Sequence, residues 1–180
     1  MVSSERKRNM QAADLKAVQA PLKDRYREQP EAAQATLVAR GRIDLDKLAV
    51  DIERPEGASC TPGMHPMAGG DGTFACAAEM LLEALAGCAG VTLAAVCTAM
   101  SIPVTRADVR VEGDVDFRGT LGVDRAAPVG FTRVNVHFTF NSEAPDATLE
   151  KAAQLAERYC VVAQTLRSVS VAWSRGEGAP

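Results

Sequence analysis

The residue most suggestive of chemistry is a cysteine inside an apolar stretch. Residues 81–100 read LLEALAGCAGVTLAAVCTAM and contain Cys88, Cys97 and a single charged side chain, Glu83. A thiolate is a strong nucleophile, whereas a thiol among apolar groups is inert because burial raises its pKa. The stretch therefore predicts either a reactive thiol held on a helix or a cysteine that serves as a small core residue.

A second cysteine, Cys160, is a candidate partner for Cys88. It follows a predicted helix that starts at Pro145 and Asp146 and runs through Tyr159. If this helix packs on the Cys88 helix, the two thiols can face each other. Cys97 lies nine residues beyond Cys88, which places it on the opposite helix face.

A reactive thiol also needs a cation nearby. Arg40 and Arg42 lie on a predicted early strand, and Arg158 stands two residues before Cys160. Exposed strand arginines without a catalytic role are the alternative interpretation of Arg40 and Arg42.

The other potential ligands match no standard metal-site pattern. Cys60, His65 and Cys76 do not have the spacing of a zinc motif, and His137 lies on a predicted strand. The sequence also lacks C-x-x-C, a phosphate-binding loop and G-x-S-x-G. We therefore expect neither a metal nor a cofactor.

The overall composition indicates one globular domain. The chain has 180 residues, 47% hydrophobic side chains and a net charge of −3. The acidic balance argues against a nucleic-acid surface. The first ten residues, MVSSERKRNM, contain no apolar leader segment, so we expect a cytoplasmic protein whose five cysteines are mostly thiols.

Periodicity predicts a mixture of helices and strands. Pro21 is expected to divide an N-terminal helical region, residues 11–33, into two helices. Apolar alternation and helical spacing predict the remaining elements: strands at 35–43, 47–53, 107–117, 131–140 and 168–173, helices at 77–100 and 146–159, and a loop rich in Pro and Gly at 55–73.

The helix at 77–100 is apolar on all sides, which is typical of a membrane span or of a helix buried all round. Its many Ala and Gly residues make membrane insertion weak, so we expect no membrane association. Small residues such as Ala84, Gly87 and Ala95 allow another helix to approach closely. A two-fold dimer with central helices follows, although helix packing within one subunit would explain the same residues.

Two motifs resemble those of the OsmC/Ohr family. EMLLEALAGC, which ends at Cys88, resembles the family segment x-E-L-L-L-x-A-L-x-G-C, and ERYCVVAQTL, which contains Cys160, resembles E-x-x-C-P-V-x-x-T-L. The likeness extends over about residues 35–174, with VRVEGDVDFRGTLG and GFTRVNVHFTF at the positions of the family's middle strands.

The resemblance implies an α+β fold in which an intertwined homodimer wraps antiparallel sheets around two central helices. Residues 34–175 would form the domain, 1–33 a helical extension and 176–180 a polar tail. For the catalytic branches it implies reduction of organic hydroperoxides in oxidative-stress defence. Cys88 would become a sulfenic acid, Cys160 would form a disulfide with it, and a dithiol, typically lipoyl, would restore both.

The resemblance also implies a glutamate and an arginine at the thiolate. Glu79 and Arg42 are our candidates, with Arg40 as the substitute for Arg42. The catalytic branches carry N-P-E with the glutamate ten residues before the first cysteine, whereas Glu79 is nine before Cys88. They also carry proline where this chain has Val161. The alternative function is a non-enzymatic dimer that binds an apolar or thiol-reactive ligand between its subunits.

Overall fold

The computed structural model describes residues 12–45, 49–52, 62–72, 75–166 and 169–176. The described residues form five helices and seven strands, with 3-10 turns at Pro30–Ala33 and Pro66–Ala68. In chain order they are α1 (Ala12–Glu28), β1 (Gln34–Asp44), β2 (Ala49–Ile52), β3 (Pro62–Gly63), β4 (Ala75–Cys76), α2 (Ala77–Ala99), β5 (Arg106–Asp116), α3 (Phe117–Thr120), β6 (Phe131–Asn141), α4 (Asp146–Tyr159), α5 (Val161–Thr165) and β7 (Val169–Arg175).

The main sheet has five strands in the order β2-β1-β5-β6-β7. Neighbouring strands are antiparallel except β6 and β7, which are parallel and are joined through α4 and α5. On β5 the buried side chains of Val109, Val111 and Val115 alternate with polar ones. This alternation gives the sheet one apolar face, which the helices cover, and one charged outer face.

Helix α2 lies against the apolar face of the sheet and beside α4. Leu82, Leu85 and Leu93 of α2 are fully buried, as is Leu149 of α4. Close approach to the sheet requires glycine at position 113. A Cβ there would lie 2.5 Å from Cε1 of Phe131 and 3.1 Å from Cδ2 of Leu82.

The helix α2 is the one helix in the described part of the chain that is long and apolar enough to cross a membrane by length and composition. A core helix of a globular protein passes the same test. The contacts of α2 with the sheet and with α4 identify it as a core helix.

The expected division of the N-terminal helix at Pro21 is wrong, because α1 continues through it from Ala12 to Glu28. Proline removes the hydrogen bond to the carbonyl of Ala17, four residues earlier. Both residues are exposed, so water can solvate that carbonyl. Tyr26, which is buried, then anchors the C-terminal part of α1 to the rest of the protein.

The other predicted helices and strands agree with the structure within a few residues. Of the loop expected at 55–73, residues 55–61 and 73 lie outside the described part, and the remainder contains β3 and a 3-10 turn. The partner strand expected at 47–53 is observed as β2, although residues 46–48 and 53 lie outside the described part. The strand expected at 107–117 ends at Asp116, because the Asp116 carboxylate accepts a hydrogen bond from the Arg118 N–H and caps α3. Phe117 is buried as expected but belongs to α3.

Candidate active site

Cys88 lies in the middle of α2 and is half-buried. It shares its helix face with Leu81, Ala84, Val91 and Ala95, all of which are exposed. The apolar side chains around the thiol thus face solvent in the single chain, whereas the opposite side of α2 is packed in the core.

Cys160 is positioned by the junction between two helices. It follows the last residue of α4 and is the N-cap of α5. Its side chain is fully buried, and its sulfur accepts a hydrogen bond from the N–H of Ala163 at 3.4 Å. Because α2 packs on both α4 and α5, this junction lies against the Cys88 side of α2.

The two sulfurs are in hydrogen-bonding contact, and both are free thiols. The contact confirms that helix packing brings these cysteines together. Two neighbouring free thiols are the arrangement from which a reversible disulfide can form.

The environment of the two thiols separates their acidities. Burial opposes ionisation of Cys88, but hydrogen bonds from the Val162 N–H, the Cys160 thiol and other donors outweigh it. These further donors are the Val161 N–H and the Thr92 hydroxyl, and the resulting pKa of Cys88 is below the ordinary value. Burial and the neighbouring Cys88 raise the pKa of Cys160 to about 11. Cys88 is therefore the more acidic thiol of the pair, and Cys160 stays protonated at neutral pH.

The remaining cysteines are separate from this pair. Cys97 is buried on the far side of α2, and burial raises its pKa to about 11. Cys76 is buried at the N-terminus of α2, and Cys60 lies outside the described residues. Of Cys88, Cys97 and Cys160, only Cys88 has its pKa lowered.

Glu79 is half-buried in the first turn of α2, on the opposite side of the helix from Cys88. Nine residues correspond to two and a half turns, and the two positions are separated by about 13 Å along the helix axis. Glu79 and the Cys88 thiol of the same chain are therefore not neighbours.

The two candidate arginines are also distant from the thiol within one chain. Arg40 and Arg42 are exposed, whereas Ala39, Gly41 and Ile43 of the same strand are buried. Successive side chains of a strand point to opposite faces. Both guanidinium groups thus belong to the outer face of the sheet, and α2 covers the other face.

Comparison with known proteins identifies the family of the chain. The sequence model of the family described as OsmC-like protein matches residues 70–174, more than half of the chain. This chain belongs to the OsmC-like family. No curated protein matches it.

Solved OsmC-like structures are similar in fold. An OsmC-like protein from Mycoplasma pneumoniae has a TM-score of 0.55 and 15% identity, over 80% of this chain and 96% of that one. An OsmC-like protein of unknown function from Vibrio cholerae has a TM-score of 0.52 and 16% identity, over 79% and 97%. An OsmC-like hydroperoxide resistance protein from Jannaschia sp. has a TM-score of 0.49 and 21% identity, over 74% and 86%. The first two of these structures support the mixed α+β fold.

Sequence reasoning missed part of the thiol environment in this OsmC-like domain. The N–H groups of Val161 and Val162 contribute through the backbone, so their side chains carry no signal. Thr92 has a detectable signal, because it lies four residues after Cys88 on the same helix face. Its single hydroxyl proton has two acceptors within reach, the Cys88 sulfur and the Cys88 carbonyl, which lies at 2.7 Å.

Proposed function

We propose that the protein is a thiol-dependent peroxidase that reduces organic hydroperoxides. The observation that carries this proposal is the contact between Cys88 and Cys160. The lowered pKa of Cys88 and the raised pKa of Cys160 agree with a division of roles between attacking and resolving thiol.

The reaction starts with attack of the Cys88 thiolate on the O–O bond. One oxygen is transferred to sulfur, which gives a sulfenic acid after protonation, and the other leaves with the organic group as an alcohol. The Cys160 thiol then attacks the sulfenic sulfur, water leaves and a disulfide forms. A dithiol of the lipoyl type reduces this disulfide and is itself oxidised. The cytoplasm, where thiols are kept reduced, is the compartment that we propose.

The active unit in this proposal is a homodimer. Leu81 and Val91 of α2 are each 39% exposed, and with Ala84 and Ala95 they surround Cys88. A second copy of α2 on this face would bury these side chains and enclose the thiol in apolar surface suited to a hydroperoxide. The partner copy could also supply Arg42 and Glu79, which do not approach Cys88 within one chain.

The test is to treat the reduced protein with about one equivalent of cumene hydroperoxide and to map its disulfides by mass spectrometry. We expect rapid formation of the Cys88–Cys160 disulfide. Cys88→Ser should abolish peroxide consumption, and Cys160→Ser should leave a sulfenic acid at Cys88 that dimedone traps. Cys97→Ser is the matched control and should react normally. Oxidation scattered over all thiols would refute the proposal.

A non-enzymatic ligand-binding dimer is the second candidate. The placement of Glu79 and Arg42 away from Cys88 in the single chain favours it, because a binding pocket requires neither residue at the thiol. An unreactive Cys88, together with saturable binding of an apolar fluorescent probe that Val91→Glu abolishes, would support this function over the peroxidase.

A further inference from the structure

A second exposed surface of the molecule lies where the edge of β7 meets α4. We propose that the free edge of β7 and the adjoining side of α4 form a docking site for an extended peptide segment with basic side chains. The peptide would add to the sheet as a strand beside β7 and place its basic groups against carboxylates of α4. This inference is independent of the thiol chemistry.

The edge of β7 is open and regular. β7 pairs with β6 in continuous register from Val134 opposite Val169 to Phe140 opposite Arg175, and no other described strand pairs with it. In a strand paired on one side, backbone N–H and C=O groups on the other side remain available to another chain. The β6–β7 register contains no shift, unlike that of β5 and β6.

The usual devices that protect an edge are missing from β7. Its first six residues, Val169 to Ser174, contain no charge and no proline. Arg175, at the end of the strand, is held elsewhere. Its guanidinium donates to the Ala144 carbonyl at 2.6 Å and to the Asp146 carboxylate at 2.8 Å. The Arg175 guanidinium therefore binds groups at the start of α4. It does not place a free charge on the edge of β7 that would oppose pairing with another strand.

A groove runs between this edge and α4, with a volume of ≈ 330 Å³. Val171 and Trp173 of β7 contribute half-buried apolar surface to it, and Glu150, Gln154 and Glu157 of α4 line the other side. The α4 positions are spaced by four and three residues and thus share one helix face. The groove combines an apolar wall with an acidic one.

The acidic wall decides which partner fits. Within the described residues, neither Glu150 nor Glu157 forms an ion pair. A lysine or arginine on an added strand can lay its aliphatic stem on Trp173 and bring its charge to these carboxylates. A second copy of the chain joined edge to edge would bring four carboxylates together instead. Charge complementarity thus favours a basic peptide over self-pairing.

The experiment uses Trp173, which is the only tryptophan of the chain, as its reporter. An acetylated and amidated decapeptide of alternating lysine and valine is titrated into the reduced full-length protein. We expect a saturable change in tryptophan emission. The double variant Glu150→Gln/Glu157→Gln should weaken binding about tenfold, which corresponds to about 1.4 kcal/mol. The charge-matched control Glu28→Gln/Glu31→Gln, at exposed glutamates elsewhere, should bind normally.

A second peptide separates strand addition from simple charge attraction. It has the same length and charge, but proline replaces alternate valines, which removes backbone donors needed for pairing. We expect no saturable emission change with it. Equal binding of both peptides would overturn the proposal, as would unchanged emission at millimolar peptide. Concentration-dependent self-association that strengthens in Glu150→Gln/Glu157→Gln would assign the edge to a second copy instead.

Discussion

At the scale of single residues, the acidity of Cys88 depends in part on the backbone N–H of residue 161. This N–H is present in every residue type except proline. The N–H of Val161 is one of the groups that lower the pKa of Cys88. A proline at this position, as in the motif that the sequence resembles, has no N–H to donate. The chain therefore has an N–H that can donate a hydrogen bond to the Cys88 thiolate, and a Cys-Pro sequence lacks this N–H.

Replacing Val161 by proline should raise the pKa of Cys88. The backbone accepts this change, because position 161 is the first residue of α5 and Cys160 has ψ of 109°, compatible with a following proline. We expect Cys88 to be alkylated by iodoacetamide several times more slowly at pH 7, because a smaller fraction of the thiol is ionised. The measurement is the alkylation rate as a function of pH, followed by peptide mapping.

The matched control is Val161→Ala, which shortens the side chain but keeps the N–H. A raised pKa means that a smaller fraction of Cys88 is thiolate below that pKa, so the two variants should differ at neutral pH and converge in alkaline solution. Identical pH profiles for Val161→Pro and Val161→Ala would show that this N–H does not stabilise the thiolate.

At the scale of elements, α1 is attached to the segment that precedes the family match. Helix α1 lies outside residues 70–174, yet its side chains reach residues 64–69. The Tyr26 hydroxyl donates to the Met67 carbonyl at 2.8 Å, and the Gln19 amide donates to the Ala68 carbonyl at 3.1 Å. Within the described residues, α1 is thus held by hydrogen bonds to the segment that precedes β4 and α2.

Tyr26→Phe tests this attachment. Tyr26 is only 2% exposed, and the substitution leaves the Met67 carbonyl without its donor. We expect a loss of about 1–2 kcal/mol in the free energy of unfolding, measured by urea denaturation followed by circular dichroism. Tyr159→Phe is the control, because Tyr159 is 61% exposed. Equal stability of the two variants would mean that the hydrogen bond contributes nothing to holding α1.

Most elements were predictable from the sequence because their patterns are local. Alternation on β5 and β6 and the apolar stripe of α4 match the observed burial. The predicted boundaries were wrong at two places, where solvent exposure or a capping hydrogen bond outweighs the local sequence pattern. Pro21 does not end α1, since its ring and the carbonyl that it deprives are both exposed. Asp116 ends β5 by capping α3, one residue before the alternation does.

At the scale of the whole molecule, one apolar face of α2 remains exposed to solvent in the single chain. Leu81, Ala84, Cys88, Val91 and Ala95 recur at spacings of three and four residues, so they form one continuous stripe. The stripe is suited to packing against a second copy related by a two-fold axis.

Val91→Glu should therefore prevent dimerisation. A carboxylate in an apolar interface without a partner costs several kcal/mol, so the dissociation constant should rise at least about a hundredfold. Sedimentation velocity over a range of protein concentrations measures this change. Val18→Glu provides the control, because Val18 is 42% exposed on α1, away from the stripe. A wild-type chain that remains monomeric at high concentration would contradict the expectation.

The exposed face of α2 beside Cys88 also explains how much of the site was predictable from the sequence. The pairing of Cys88 with Cys160 followed from two helices that pack within one chain, and the structure contains it. In the proposed dimer, the positions of Glu79 and Arg42 relative to the thiol would depend on where the second copy lies. Spacing along one sequence carries no information on that arrangement, so these two roles stay predictions.

Gly113 has a consequence for how this protein can change over evolutionary time. A side chain at position 113 would overlap the ring of Phe131 and approach Leu82. Any larger residue at position 113 therefore requires the Phe131 ring to shift or a smaller residue at position 131. A single substitution at position 113 thus has a cost that a second change must offset, so the distance between α2 and the sheet is difficult to alter by gradual mutation.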